Sequence, residues 1–103
     1  MDFPSGTGER NQRMTVVFNR PVVRCHVALG GYEAEYTNSD HHIKRITVML
    51  SCQIGARTDE GFEVNVFVRF NLRDKNADDP FRGKVSFVVF AETQGIIPPI
   101  FEA

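Results

Sequence analysis

Hydrophobic and polar residues alternate along most of the chain beyond residue 13. The clearest stretch is FEVNVFVRFNL, residues 62–72, and KVSFVVFAE, VVRCHVAL and HIKRITVMLSC repeat its pattern. A two-residue period is typical of strands with one buried face, because successive side chains point to opposite sides. In residues 62–72 the expected inward set is Phe62, Val64, Val66, Val68, Phe70 and Leu72. No segment of helical length shows an apolar stripe at the helical period, so the pattern predicts an all-β fold.

Five or six strands with one apolar face each must pack those faces together, either in two antiparallel sheets or in a small barrel. We assign this β-sandwich domain to residues 14–93. Residues 1–13 are rich in Gly, Pro, Ser and charge without periodicity, which predicts a flexible N-terminal arm. Residues 94–103 form a C-terminal tail whose Pro98 and Pro99 cannot continue a central strand. Its apolar residues predict that it covers either its own sheet edge or a neighbouring subunit.

Length and charge argue against several classes of protein. The 103 residues suffice for one domain, and the net charge of −1 argues against a general nucleic-acid or anionic-membrane binder. No apolar run approaches the length that membrane insertion needs. The first residues lack a signal-peptide pattern, which fits a cytoplasmic or phage protein and equally a mature form whose signal was removed. The localisation therefore stays open, and extracellular and virion-associated sites are both compatible with the sequence.

The cysteines and histidines lack the spacing of a metal site. Cys25 and Cys52 do not have the paired spacing of a zinc motif, and they are either two buried thiols or a bridge between strands. His41 and His42 are adjacent in sequence and would point to opposite faces of a strand, which favours a solvated turn. The sequence therefore predicts no metal centre at these residues.

A charged loop, residues 71–81 with the sequence NLRDKNADDPF, separates two apolar segments. Asp74, Asn76 and Asp78 are spaced like the first ligands of a calcium loop, but Asp79 stands where that loop needs Gly and the closing Glu is missing. We interpret the loop as a plain hairpin connection, as the rim of a ligand or partner site, or as a cation site. The chain contains no nucleophile-elbow motif and no phosphate-binding glycine loop, so we predict neither an enzyme nor a cofactor.

The order of four segments resembles the H-type lectin domain, found in snail agglutinins and in discoidin C-terminal domains. These segments are VVFNRPVVRCHVAL, HIKRITV, EGFEVNV and KVSFVVFAE, and together they cover roughly residues 14–93. The resemblance implies a six-stranded antiparallel β-sandwich that assembles as trimers, sometimes paired into hexamers. It also implies binding of N-acetylgalactosamine or related glycans between neighbouring protomers, while the net charge gives no reason to expect a nucleic-acid partner.

The resemblance also assigns candidate ligand-binding residues. The sugar-contacting arginine of the family falls on Arg45, and an aromatic near its closing strand falls on Phe81. The Trp-polar-Thr signature of the family is missing, and Arg69, Phe70 and Asn71 stand nearest to its place. The stretch between Phe70 and the closing strand is also longer than the usual family connection, and both departures bear on sugar specificity.

Two of these surface positions have alternative interpretations. Arg45 offers a planar fork of donors for sugar hydroxyls or a sugar carboxylate, or else it forms a salt bridge across strands or subunits. Phe67 lies among polar residues and is either a subunit contact or a stacking platform. At the level of the whole protein, the alternative to a lectin is a structural subunit of a virion, tail fibre or surface appendage without a sugar site.

Overall fold

The computed structural model describes residues 1–37, 45–73, 80–94 and 100–102, the last three by their backbone. The described residues form an all-β fold, and no helix among them is long and apolar enough to cross a membrane. The strands are β1 (Asp2–Gly6), β2 (Arg10–Phe18), β3 (Val22–Tyr36), β4 (Arg45–Thr58), β5 (Gly61–Arg73), β6 (Phe81–Thr93) and β7 (Ile100–Glu102).

The strands form two antiparallel sheets. In sheet A, β6 is central: it pairs with β3 on one edge, and with β1 and the short β7 on the other. In sheet B, β5 is central and pairs with β2 and β4. The all-β prediction is confirmed, and so is the antiparallel pairing of its strands.

The core lies between the two central strands, and it follows the alternation in the sequence. The buried residues of β5 are Val64, Val66, Val68, Phe70 and Leu72, and those of β6 are Phe81, Val85, Phe87, Val89 and Ala91. The Phe70 ring crosses from sheet B and meets Phe3 at a centroid distance of 5.0 Å and Phe81 at 5.4 Å. Gly83 of sheet A makes room for this ring, because a Cβ there would overlap both the Phe70 ring and the Glu33 carbonyl.

The two sides of the sandwich are closed to different degrees. On the side of β1 and β2, the inward-facing Phe3 and Phe18 are buried. On the side of β3 and β4, Leu29 and Ile54 face inward, opposite core residues in the strand register, yet they remain 48% and 45% exposed. Since both are edge-strand residues, only one neighbouring strand covers them within their own sheet.

The first thirteen residues differ from the predicted flexible arm, because they form β1 and the beginning of β2. The Met1 ammonium donates to the Val85 carbonyl at 2.9 Å, and the Val85 N–H donates to the Met1 carbonyl at 2.9 Å. Phe3 adds a buried ring to the core. The segment lacks alternation because its strand is short and contains Pro4 and Gly6, so periodicity alone does not reveal it.

Strand pairing also sets the ends of β3 and β4 and the position of β7. The β3 strand continues through residues 30–36, beyond the alternating VVRCHVAL segment, and β4 extends to Thr58, beyond HIKRITVMLSC. Gly61 follows the β4–β5 turn with φ of +144°, a conformation that favours glycine. At the C-terminus, β7 pairs with β6 of its own sheet, one of the two placements expected for the tail. The predictions for His41, His42 and residues 74–79 lie outside the described residues.

Candidate functional site

The outward face of sheet B presents side chains in rows across its three strands. The β-sheet register places Phe67 of β5 between Arg13 of β2 and Ser51 of β4. The next row toward the C-terminal end of β5 consists of Asn11, Arg69 and Met49. Neighbouring strands lie about 4.8 Å apart, so the side chains within each row are in contact range of one another.

These two rows line a shallow hollow of about 400 Å³. Phe67, which is 38% exposed, and Met49, which is 54% exposed, supply its apolar surface. Arginine, amide and hydroxyl groups surround that surface and can donate or accept hydrogen bonds. An exposed ring surrounded by polar groups can stack on an apolar ligand face while the neighbouring groups bind hydroxyls or carboxylates.

Arg69 is oriented by two side-chain contacts at the edge of this hollow. Its Nε lies 3.5 Å from Oε1 of Glu9, and its Nη1 lies 3.8 Å from the Met49 sulfur. A thioether sulfur is a weak acceptor, so this second contact orients the guanidinium without satisfying a strong donor. The side chain stays about half exposed, with a relative accessibility of 49%. Arg69 is therefore oriented and still reachable by a ligand.

Positive charge is in excess on this face. Among the described residues, the strand alternation turns four arginines outward, Arg13, Arg45, Arg69 and Arg73, against the carboxylates of Glu9 and Glu63. The chain as a whole carries a net charge of −1. The face is thus locally basic on a slightly acidic protein, which favours a ligand with acceptor groups or negative charge.

The structure brings together three of the five residues that the resemblance assigned. Arg45, Arg69 and Asn71 all lie on the outward face of sheet B, with Asn71 opposite Thr47 and Arg45 opposite Arg73. Arg45 is exposed at the start of β4, four residues before Met49. This separation corresponds to about 13 Å along a strand, so Arg45 lies beyond the hollow itself.

Phe70 and Phe81 lie elsewhere, because both rings are 0% exposed in the core. Arg10 covers the Phe81 ring with its guanidinium, 4.3 Å from the centroid, and donates to the Phe81 carbonyl at 2.8 Å and to the Pro4 carbonyl. Burial lowers the pKa of Arg10 from its ordinary value. Neither aromatic ring is accessible to a ligand in this structure, and Arg10 joins β1, β2 and β6 instead.

Asn11, Arg13 and Met49 are functional candidates that the sequence interpretation did not single out. Asn11 and Arg13 lay in the predicted arm, and Met49 lay in the HIKRITVMLSC segment without an assigned role. The alternation of Gln12, Met14, Val16 and Phe18 against Asn11, Arg13 and Thr15 could have extended β2 upstream. Only the register shows that these residues meet Phe67 and Arg69.

A second hollow, of about 580 Å³, lies on sheet A. Its charged residues are of both signs: Asp2, Glu33 and Glu35 against Arg82 and Lys84. Arg82 forms an ion pair with Glu35, and the Phe3 ring beneath the hollow is buried. The hollow is larger than the one on sheet B, but its three carboxylates outnumber its two cations and Phe3 offers no exposed ring face. We therefore place the candidate site on sheet B.

The part of the chain that the structure describes contains no group of three or more His, Cys, Asp or Glu side chains that could hold a metal ion.

Comparisons of the chain with protein-family models, with curated proteins and with solved structures gave no match. The resemblance to H-type lectins therefore stays a prediction, and the site is argued from its own residues.

Proposed function

We propose that this protein is a carbohydrate-binding domain that binds glycans on the outward face of sheet B. The observation that carries the proposal is the exposed Phe67 ring between Arg13 and Ser51, with the oriented Arg69 guanidinium beside it. The ring provides a stacking surface for the apolar face of a sugar. Arg13 and Arg69 donate to sugar hydroxyls, or to a carboxylate where the sugar carries one.

The all-β fold with two antiparallel sheets supports this proposal. β2 to β6 supply five strands in the part of the chain that the resemblance covers, and β1 and the short β7 are added to sheet A from outside it. The absence of the family tryptophan is consistent with a different specificity, in which Phe67 provides the stacking surface. N-acetylgalactosamine and related glycans remain the first candidates by resemblance, and the basic face adds sialylated or uronic-acid glycans.

We propose further that the domain acts as a trimer or hexamer with its glycan sites at protomer boundaries. A single shallow hollow binds one sugar weakly, and several sites at fixed spacing raise the avidity without new contacts. The apolar side chains of Phe67 and Met49 are exposed in the monomer, so a neighbouring protomer beside the hollow would cover part of them.

A glycan array probed with the purified wild-type protein tests this proposal, with the Phe67→Ala/Arg69→Ala double variant beside it. We expect the wild type to bind a restricted group of glycans and the double variant to lose that signal. Both side chains are about half exposed, so the double variant should keep the melting temperature of the wild type within a few degrees. A folded wild type that binds no glycan on the array contradicts the proposal.

A second candidate function, a structural subunit without a sugar site, is favoured by the open side of the sandwich. The inward-facing Leu29, Tyr32 and Ile54 remain exposed along β3 and β4. Burying this apolar strip against another subunit would stabilise the assembly by the hydrophobic effect.

Sedimentation analysis distinguishes the two functions when it is combined with the array. The structural candidate requires a stable oligomer that dissociates in a Leu29→Ser/Ile54→Ser variant, together with no glycan binding by the wild type. The carbohydrate-binding proposal requires that the same variant retain glycan binding by each protomer, because Leu29 belongs to sheet A and Ile54 faces the core side of sheet B, whereas Phe67 faces outward.

A further inference from the structure

Two cysteines lie opposite each other between the two sheets. Cys25 is on the edge strand β3 of sheet A, in register with the buried Ala91. Cys52 is on the edge strand β4 of sheet B, in register with the buried Val66. Each cysteine therefore faces inward from its own sheet, and both lie on the open side of the sandwich.

The two thiols face the same part of the core and are partly accessible. Both cysteines are free and half-buried, both pack against the core, and the edge strands β3 and β4 that carry them lie in contact across the sandwich. A disulfide requires Cα atoms about 4.4–6.8 Å apart, a separation that edge strands in contact can reach with a small adjustment. Partial exposure allows a small oxidant to reach them from the open side.

We propose that Cys25 and Cys52 form a redox-controlled disulfide that joins sheet A to sheet B. The oxidant is a small-molecule disulfide such as oxidised glutathione. The Cys25 thiolate attacks one sulfur of the oxidant, forms a mixed disulfide and releases one glutathione thiol. The Cys52 sulfur then loses its proton to solvent and attacks the Cys25 sulfur, which releases the second glutathione. The protein dithiol is oxidised, and one oxidant disulfide is reduced to two thiols.

The order of these steps follows from the environment of Cys52. Burial raises the pKa of its thiol to about 12, and the neighbouring Cys25 acts in the same direction. At neutral pH Cys52 therefore holds its proton, and it acts as the resolving rather than the attacking thiol. The same protonation predicts slow oxidation at neutral pH and faster oxidation at alkaline pH.

The disulfide acts where the sandwich is least well covered. The inward residues of β3 and β4 are only half-buried, whereas the β1–β2 side is closed by Phe3, Val16 and Phe18. A covalent link between the edge strands would hold the two sheets together on this open side. It would also close a chain segment of more than twenty residues, which restricts the unfolded chain. Oxidation should therefore raise the melting temperature by about 10 °C.

The proposal is tested on the intact wild-type protein, incubated with oxidised glutathione or with a phosphine reductant. Trypsin cleavage after Arg24, Lys44, Arg45 and Arg57 leaves the two cysteines on separate peptides, 25–44 and 46–57. In the oxidised sample we expect a cross-linked pair of these peptides in a non-reducing digest analysed by mass spectrometry. We also expect the higher melting temperature, which the reductant should reverse.

The Cys25→Ser and Cys52→Ser variants are the matched controls, since each keeps one thiol. Neither variant should change its melting temperature with the redox conditions. If a variant fails to fold, peptide mapping of the wild type still decides the question. Glutathione adducts on both cysteines without the cross-linked peptide, or a disulfide between two chains, would overturn the proposal. A cross-link without any rise in melting temperature would overturn the stabilising role assigned to it.

Discussion

The outward faces of the two sheets differ, although both sheets have a central strand with a buried inner side. On sheet A, charged side chains of both signs surround the larger hollow, and the Phe3 ring beneath it is buried. On sheet B, the hollow is smaller but contains the exposed Phe67 ring and the half-exposed Arg69 guanidinium. The exposed aromatic ring, and not the volume of the hollow, is what favours sheet B as the candidate site.

Packing explains the small residue beside the sheet A hollow. Phe70 of sheet B presses against Gly83 from the core side, where a Cβ would overlap the ring. Gly83 is therefore needed for the core rather than for the outer surface. On sheet B, the Phe67 and Arg69 side chains point away from the core, so packing does not account for them.

The largest expected effect comes from the inner side of sheet A. Gly83→Ala should lower the free energy of unfolding by about 3 kcal/mol, because the added methyl group overlaps the Phe70 ring and the Glu33 carbonyl. Gly31→Ala on the same sheet is the control, since a Cβ there meets nothing within 4 Å. Chemical denaturation measures both values. Equal stability of the two variants would contradict the packing role assigned to Gly83.

Arg69→Ala should have the next largest effect, on ligand affinity rather than on stability. Loss of its charge-assisted hydrogen bonds should weaken glycan binding by about 1.5–3 kcal/mol, roughly ten- to a hundredfold. Arg82→Ala on sheet A removes a similarly exposed arginine and should leave the affinity unchanged. Calorimetric titration with the glycan that binds most strongly on the array provides both numbers. A larger loss in the Arg82 variant would move the site to sheet A.

Phe67→Ala should cost about 0.5–1.5 kcal/mol of glycan affinity, because it removes the stacking surface. Phe90→Ala is a closely matched control, since Phe90 lies on the outward face of sheet A and is 37% exposed against 38% for Phe67. The two variants should lose similar, small amounts of stability. Identical affinities for the two variants would remove Phe67 from the site.

Arg45→Ala should have the smallest effect and should depend on the length of the glycan. Arg45 lies about 13 Å along β4 from Met49, beyond the reach of a single sugar in the hollow. We expect an unchanged affinity for a monosaccharide and a several-fold loss for an oligosaccharide. Arg45→Lys should recover part of that loss, since an ammonium keeps the charge but not the planar fork. A lower oligomer mass with unchanged glycan binding would instead assign Arg45 to a subunit contact.

Much of the fold could be predicted from the sequence because alternation reports which side chains face the core. The inward set expected for residues 62–72 includes Val64, Val66 and Phe70, all of which are buried. Alternation does not report how far a face is covered, since that depends on the neighbouring strands. Ile54 and Val64 are paired and both face inward, yet only Val64 is buried, because it belongs to the central strand.

The candidate site was harder to predict, because its residues meet through strand register rather than through sequence spacing. Arg13, Met49 and Phe67 come from three strands, and no local motif connects them. Phe70 shows the opposite case, since the resemblance assigned it to ligand binding while its own alternation placed it inward. In the structure its ring lies in the core, where packing with Phe3 and Phe81 fixes its orientation.

The most direct test of a glycan site on sheet B is an NMR titration of the isotope-labelled protein with N-acetylgalactosamine and with a sialylated oligosaccharide. Amide shifts map the binding face in a single experiment without any substitution. We expect the shifts to cluster at Asn11, Arg13, Met49, Phe67 and Arg69 across the three strands of sheet B. Shifts that cluster instead around Arg82 and Lys84 of sheet A, or no shifts at millimolar sugar, would contradict the proposed site.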